Sequence, residues 1–156
     1  MKVLSEPIEF DAVEEPWNTY KLKDGTILKT RFILIQVIME GVDEAANPIY
    51  IFNSDTVVGA MVPKELIGEP SERVYTLEER VDAIEEELSF EVMQENWNEY
   101  KLHDGTTLKV KLALAKVART RLHDKRGQPL YLVNTQPIFN AITPPELRQK
   151  LKEQRG

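Results

Sequence analysis

The sequence predicts a mainly β protein, a tandem pair of small β-barrels joined by an amphipathic α-helix. Three observations lead there. Trp17, Asn18, Tyr20, Lys21, Leu22, Asp24, Gly25, Thr26, Leu28 and Lys29 recur at the same spacing between Trp97 and Lys109. From Phe10 to Met39, 14 of 30 positions match the residue 80 places on; after a slip of one, the match resumes from Pro48/Pro129 to Leu66/Leu147. Inside each copy the apolar residues alternate with period two, and between the copies they fall at helical spacing. Units of nearly 60 residues are too long for stacked solenoid repeats and read as small domains, each marginal without a neighbour. The organisation is therefore an N-terminal extension (1–8), an acidic first barrel (9–66), a linker (67–88) with a helix over 77–88, a basic second barrel (89–147) and a helical tail (148–156).

Each copy opens on a strand, 17–22 in the first. Asp24-Gly25 and Asp104-Gly105 read as two-residue hairpin turns of type I′. A long strand follows, 26–39 and 106–119. In the second copy Leu108, Val110, Leu112 and Leu114 alternate with Lys109, Lys111, Ala113 and Ala115, and then the apolar phase flips to Val117. Such a slip predicts a bulge and a bend. A third strand is expected at 49–53 and 130–134, and a fourth at 57–62 and 138–142. Pro63 and Pro144 each open a helical turn, which continues in the second copy to about residue 152. In the linker, Thr76 and Glu79 form a capping box, and Leu77, Val81, Ile84 and Leu88 make one helical stripe.

Net charge is −6 with no cysteine, so disulfides, thiolate zinc sites and cysteine nucleophiles are excluded. No apolar run approaches the ~20 residues of a membrane span. Residues 1–15 lack the basic and apolar regions of a signal peptide. The expectation is a soluble, cytoplasmic protein. The charge is unevenly divided: residues 1–66 carry net −5, 67–94 net −7 and 95–156 net +6. Three arrangements account for this: the acidic linker lies on the basic copy of its own chain, or on that of a neighbour, or the basic copy binds an external polyanion.

Two residue sets are candidate sites. Lys109, Lys111, Arg119, Arg121, Lys125 and Arg126 give the second copy a cationic strand and loop, the footprint of a polyanion-binding face. A lysine-rich strand can equally serve to resist aggregation. The first copy has Ile33, Ile35, Ile38 and Met39 where the second has Ala113, Ala115, Ala118 and Arg119. An apolar strand face of this kind marks an interaction surface. The recurring aromatics Trp17/Trp97, Tyr20/Tyr100 and Tyr50/Tyr131 suit a small core, and also base stacking. His103 and His123 have no histidine twins and no metal-ligand spacing. No catalytic motif, metal site or cofactor is indicated.

The hairpin at 20–29, followed by a bent strand and 49–62, is similar in outline to the Sm-like barrels, small five-stranded RNA-binding folds. The likeness covers about 45 residues of each copy, and it implies an SH3-like barrel shape. That family's second-strand glycine is replaced by Lys29-Thr30 and Lys109-Val110. Its Asp-x-His/Met-Asn base pocket has no counterpart, and Asn53-Ser54-Asp55 and Asn134-Thr135-Gln136 stand where its Arg-Gly pair falls. The functional expectation is a non-enzymatic protein-interaction or assembly module that self-associates. The alternative is RNA binding through the basic face of the second copy.

Overall fold

The protein is represented by a computed structural model, which describes residues 5–155. It is mainly β, with two five-stranded sheets and two α-helices. The strands are β1 (Glu6–Ile8), β2 (Phe10–Glu14), β3 (Asn18–Leu22), β4 (Ile27–Val42) and β5 (Pro48–Met61) in the first half. In the second half they are β6 (Ile84–Glu87), β7 (Phe90–Gln94), β8 (Trp97–Leu102), β9 (Thr107–His123) and β10 (Pro129–Ile142). Helix α1 (Leu77–Asp82) precedes β6, and α2 (Pro145–Arg155) ends the described chain.

The two sheets are not the two sequence copies. Strand β1 pairs with β4 of its own half (Glu6 opposite Met39), but the chain then crosses at Glu9, and β2 pairs with β8 of the other half. In the same way β6 lies on β9, the chain crosses at Leu88-Ser89, and β7 pairs with β3. The crossings are tied by backbone bonds: His103 N–H donates to the Glu9 carbonyl (2.8 Å) and Lys23 N–H to that of Ser89 (2.9 Å). Each half thus supplies the edge strand the other lacks. Among the described residues no closed barrel forms. Separate barrels at 9–66 and 89–147 would leave β3 and β8 with open edges over a core too small to stand alone.

The core follows the exchange. One apolar cluster joins Phe32, Leu34 and Val37 of β4 to Tyr100, Leu102, Leu108, Val110 and Leu112 of the second half. The other joins Tyr20, Leu22 and Leu28 to Leu88, Leu114 and Val117. In both long strands the expected phase slip is present. Leu34 lies opposite Ser54 and Gln36 opposite Asn53, leaving Ile35 as the extra residue of a bulge; Ala115 has the same place in β9. The bulge moves the buried phase from Leu34 to Val37 and from Leu114 to Val117. The expected third and fourth strands are single strands, β5 and β10, because each pairs continuously with its long neighbour across the bulge.

Two expectations are corrected. The turns at 22–26 and 102–106 are three-residue loops rather than type I′ turns. Only the glycine has positive φ (92° at Gly25, 99° at Gly105). Gly25 N–H donates to the Leu22 carbonyl (2.9 Å), and Leu22 N–H to that of Thr26 (2.8 Å). This is a type I turn closed by a glycine bulge. Asp24 and Asp104 cap it instead of adopting positive φ, each accepting the N–H two residues on at 2.9 Å. Secondly, the linker helix ends at Asp82, not 88. Thr76 and Glu79 do form the capping box, but Ala83 is buried as the C-cap and Ile84–Glu87 is strand. Leu77 stays 70% exposed while Leu88 is in the core. Edge pairing with β9 gives these residues backbone partners and carries Leu88 into the core, as two more helical turns could not.

Helix α2 runs past the expected end near 152. It rests on the first half's loop, where Arg148 donates to the Asn47 side chain at 3.0 Å and Leu151 is buried. Among the described residues no helix is long and apolar enough to cross a membrane.

Because both clusters draw on both halves, denaturant should unfold the chain in one transition, with circular dichroism and tryptophan fluorescence coinciding. Gly105→Val should lower stability by more than ~1 kcal/mol, since it puts a β-branched residue at positive φ and its Cβ would sit 3.2 Å from Pro144 Cγ. A shifted denaturant midpoint measures it.

Candidate functional site

Four tyrosine–carboxylate bonds lie along the seam between the halves. Tyr20 donates to Glu95 (2.6 Å), Tyr100 to Glu15 (2.7 Å), Tyr131 to Asp24 (2.8 Å) and Tyr50 to Asp104. Each links one half to the other. Tyr50 and Tyr131 also bond Thr106 and Thr26, at 2.9 and 2.8 Å. Burial, with the neighbouring carboxylate, pushes all four phenols up, Tyr131 to about 12. A phenol held this way is a fixed donor, and with Tyr20 and Tyr100 wholly buried the pairs work as ties between the halves. Trp17 and Trp97 differ: both are 40% exposed, with Arg31 and Lys111 over their rings at 5.6 and 5.8 Å.

The six basic candidates do not form one face. Lys109 lies 3.9 Å from Glu99 and Lys111 3.7 Å from Glu95. Arg119 is the most enclosed, its side chain 13% exposed among Asp24 (3.0 Å), Glu85 (3.2 Å) and Glu86 (3.4 Å). Burial alone would raise the Asp24 carboxyl, but hydrogen bonds from Thr26 N–H, Tyr131 and Arg119 outweigh it and hold Asp24 below the usual carboxylate range. Arg121 donates to the Asp82 carbonyl (3.4 Å), while Lys23 and Lys116 meet Glu86 and Glu87. The acidic segment after α1 thus lies on β9 of its own chain. Lys125 and Arg126 are apart, exposed on a turn that Asp124 caps by accepting the N–H of Arg126 (2.8 Å) and of Gln128 (2.9 Å). Among the described residues neither has an ion pair. They edge a cleft of about 630 Å³ with Tyr75, Arg80 and His123, all outside the expected basic face.

The apolar candidates divide similarly. Ile33, Ile35 and Ile38 belong to the outer face of β4, where β5 adds Ile51 directly opposite Ile38, Val57 opposite Arg31, and Met61 opposite Ile27. Ile35 is 58% and Met61 61% exposed. Met39, in the alternate phase, lies between Glu6 and Tyr50. The β5 residues went unread because their exposure depends on β5 being an edge strand. In the second half α1 lies beside β9 and β10, and Leu77 and Ile84 share a cleft with Ala118 and Leu132. Alanine at 118, where the first half has Ile38, leaves room there. Among the described residues no group of three or more His, Asp or Glu is arranged to hold a metal ion.

The tyrosines predict the alkaline limit of the fold. Phenols near pKa 10 when unfolded are raised in the folded chain, so their contribution is complete below pH ~10 and is lost as pH rises beyond it. Phenolate absorbance from Tyr20, Tyr50, Tyr100 and Tyr131 should therefore emerge together with loss of the β circular-dichroism signal.

No protein-family model, no curated protein and no solved structure matches this chain.

Proposed function

We propose that the chain is a non-catalytic interaction module that self-associates through the outer face of β4 and the free edge of β5. The observation that carries this is the exposed apolar face of Ile35, Ile51, Val57 and Met61 beside a strand paired on one side only. Monomeric soluble proteins seldom leave such a face and such an edge together in water. Strand β5 spans 14 residues and contains a single charged residue, Asp55. Its counterpart β10 has Pro137 where β5 has Thr56; a proline on an edge strand blunts pairing. Both β5 and β10 are edge strands, but only β5 is free of an interior proline. Antiparallel pairing with β5 of a second copy would satisfy both β5 edges and join the two isoleucine-rich faces. We infer that the halves are a strand-exchanged pair of SH3-like folds, a reading supported by the bent long strand and tight hairpin that each contains.

A non-catalytic reading is supported by the titratable groups with displaced pKa values, most of which are locked in tyrosine–carboxylate and arginine–carboxylate bonds along the seam. RNA binding through Lys109, Lys111, Arg119 and Arg121 has less support, because the first three already face carboxylates of the chain and Arg121 donates to the Asp82 carbonyl.

Sedimentation across a micromolar concentration series tests the reading. The chain should form a dimer; Ile35→Lys combined with Val57→Lys, or Thr56→Pro alone, should raise the dissociation constant at least ~10-fold, about 1.4 kcal/mol, with unchanged circular dichroism. A parent chain that is monomeric throughout would refute the proposal.

A further inference from the structure

The linker does more than connect the halves. Gly68 N–H donates to the Gly127 carbonyl (2.8 Å) and Ser71 N–H to that of Asp124 (3.0 Å), so residues 68–71 are fastened to the 124–127 turn. The fit is close. A Cβ on Gly127, which has φ 82°, would come within 2.5 Å of the Gly68 carbonyl oxygen, and a Cβ on Gly68 would meet the His123 ring at 2.5 Å. Past this joint the linker turns away toward α1, with the Ser71 hydroxyl 3.1 Å from that of Tyr75. The cleft of about 630 Å³ opens between linker, helix and turn, within the range of small-molecule sites.

Its charge is unlike that of the rest of the molecule. Elsewhere on the second half, Lys109, Lys111, Lys116 and Arg119 face acidic groups of the same chain. Four cations line this cleft, Arg73, Arg80, Lys125 and Arg126, against Glu72 and Asp124. Arg73 is held by Glu79 and stacks over the Tyr75 ring at 5.1 Å. Asp124 has one carboxylate oxygen committed to the two backbone N–H groups of its turn. That leaves Arg80, Lys125 and Arg126 with no ion pair among the described residues. Among the described residues the Arg80 Nε is buried without an acceptor, as is that of Arg31 outside the cleft. A desolvated guanidinium donor without an acceptor is costly to keep, and a phosphate oxygen is well matched to a guanidinium fork. The first half offers a contrast: its loop has Glu44 and Ala45 in the places of Lys125 and Arg126, and α2 lies against it through Arg148.

We propose that this cleft binds a small phosphate ester of mononucleotide size or less, with Arg80 and the Lys125-Arg126 turn as its anion ligands. The site is independent of the β5 association surface.

Calorimetric titration of the full chain with inorganic pyrophosphate and with adenosine monophosphate, at ~0.15 M salt, where exposed charges are screened beyond about 8 Å, is the test. Saturable 1:1 binding is expected. Arg80→Gln should weaken it at least ~10-fold, as should Lys125→Gln with Arg126→Gln, a pair on an exposed turn whose loss leaves the fold intact by circular dichroism. Lys109→Gln with Lys111→Gln should leave it unchanged. Absence of saturable binding by either probe overturns the proposal. So does an equal loss in the Lys109/Lys111 variant, which would mean diffuse attraction. Binding of a single-stranded RNA oligomer without binding of either small phosphate would also overturn it, in favour of a nucleic-acid surface.

Discussion

Everything in this fold depends on the exchange of β2 and β7 between the halves. With β2 hydrogen-bonded to β8 and β7 to β3, neither half has a complete sheet without the other. The exchange accounts for the make-up of both apolar clusters, and it explains why every seam tyrosine finds its carboxylate across the divide. Tyr20 meets Glu95 and Tyr100 meets Glu15 because Glu95 and Glu15 directly follow the exchanged strands. A buried phenol with no acceptor would cost more than the bond returns. The ties therefore favour the exchanged pairing over two self-contained units.

Much of this was legible in the sequence, but not its central feature. The phase slip between Leu114 and Val117 predicts the bulge, since the period-two rule can break only where a residue is added. The glycines of the hairpins are equally readable, because positive φ restricts the choice of residue. The turn type was misjudged because Asp-Gly serves both kinds of hairpin, and only the bonds from Leu22 and Leu102 tell them apart. The helix over 77–88 failed for a different reason. Leu77, Val81, Ile84 and Leu88 fit a helical stripe, yet Ile84–Glu87 also fits an edge strand. The outcome was decided by the free edge of β9, a tertiary fact that no local window contains. Strand exchange is invisible for the same cause: the identity of the two copies records which residues pack, not which copy they pack against.

Where the halves diverge, the structure gives the divergence a physical setting. Arg119 replaces Met39 and meets Asp24, Glu85 and Glu86, so the acidic segment is held by the basic half. Asp104, the twin of Asp24, has Tyr50 and Thr106 but no arginine. Ala118 replaces Ile38 in the half that has α1 alongside. Part of the charge division read from composition is thus internal, with Glu85, Glu86 and Glu87 meeting Arg119, Lys23 and Lys116.

Once internal pairings are set aside, two features remain, and both lie where one half departs from the other. Both β5 and β10 expose apolar side chains, Val57 and Met61 in one and Ile138 and Ile142 in the other. But only the first half adds Ile33, Ile35 and Ile38, and only the second has the cationic turn, its loop facing the linker instead of α2. This asymmetry puts the proposed association surface and the proposed cleft on opposite halves of one chain, and the exchanged strands join those halves. The proposed cleft is lined by the linker and by Arg80 of α1; α1 leads into β6, which is paired with β9, whose hairpin partner β8 carries the exchanged β2. The backbone path from β2 runs through Glu9 into β1, which is paired with β4. The two surfaces are therefore joined through hydrogen-bonded strands rather than through a flexible tether.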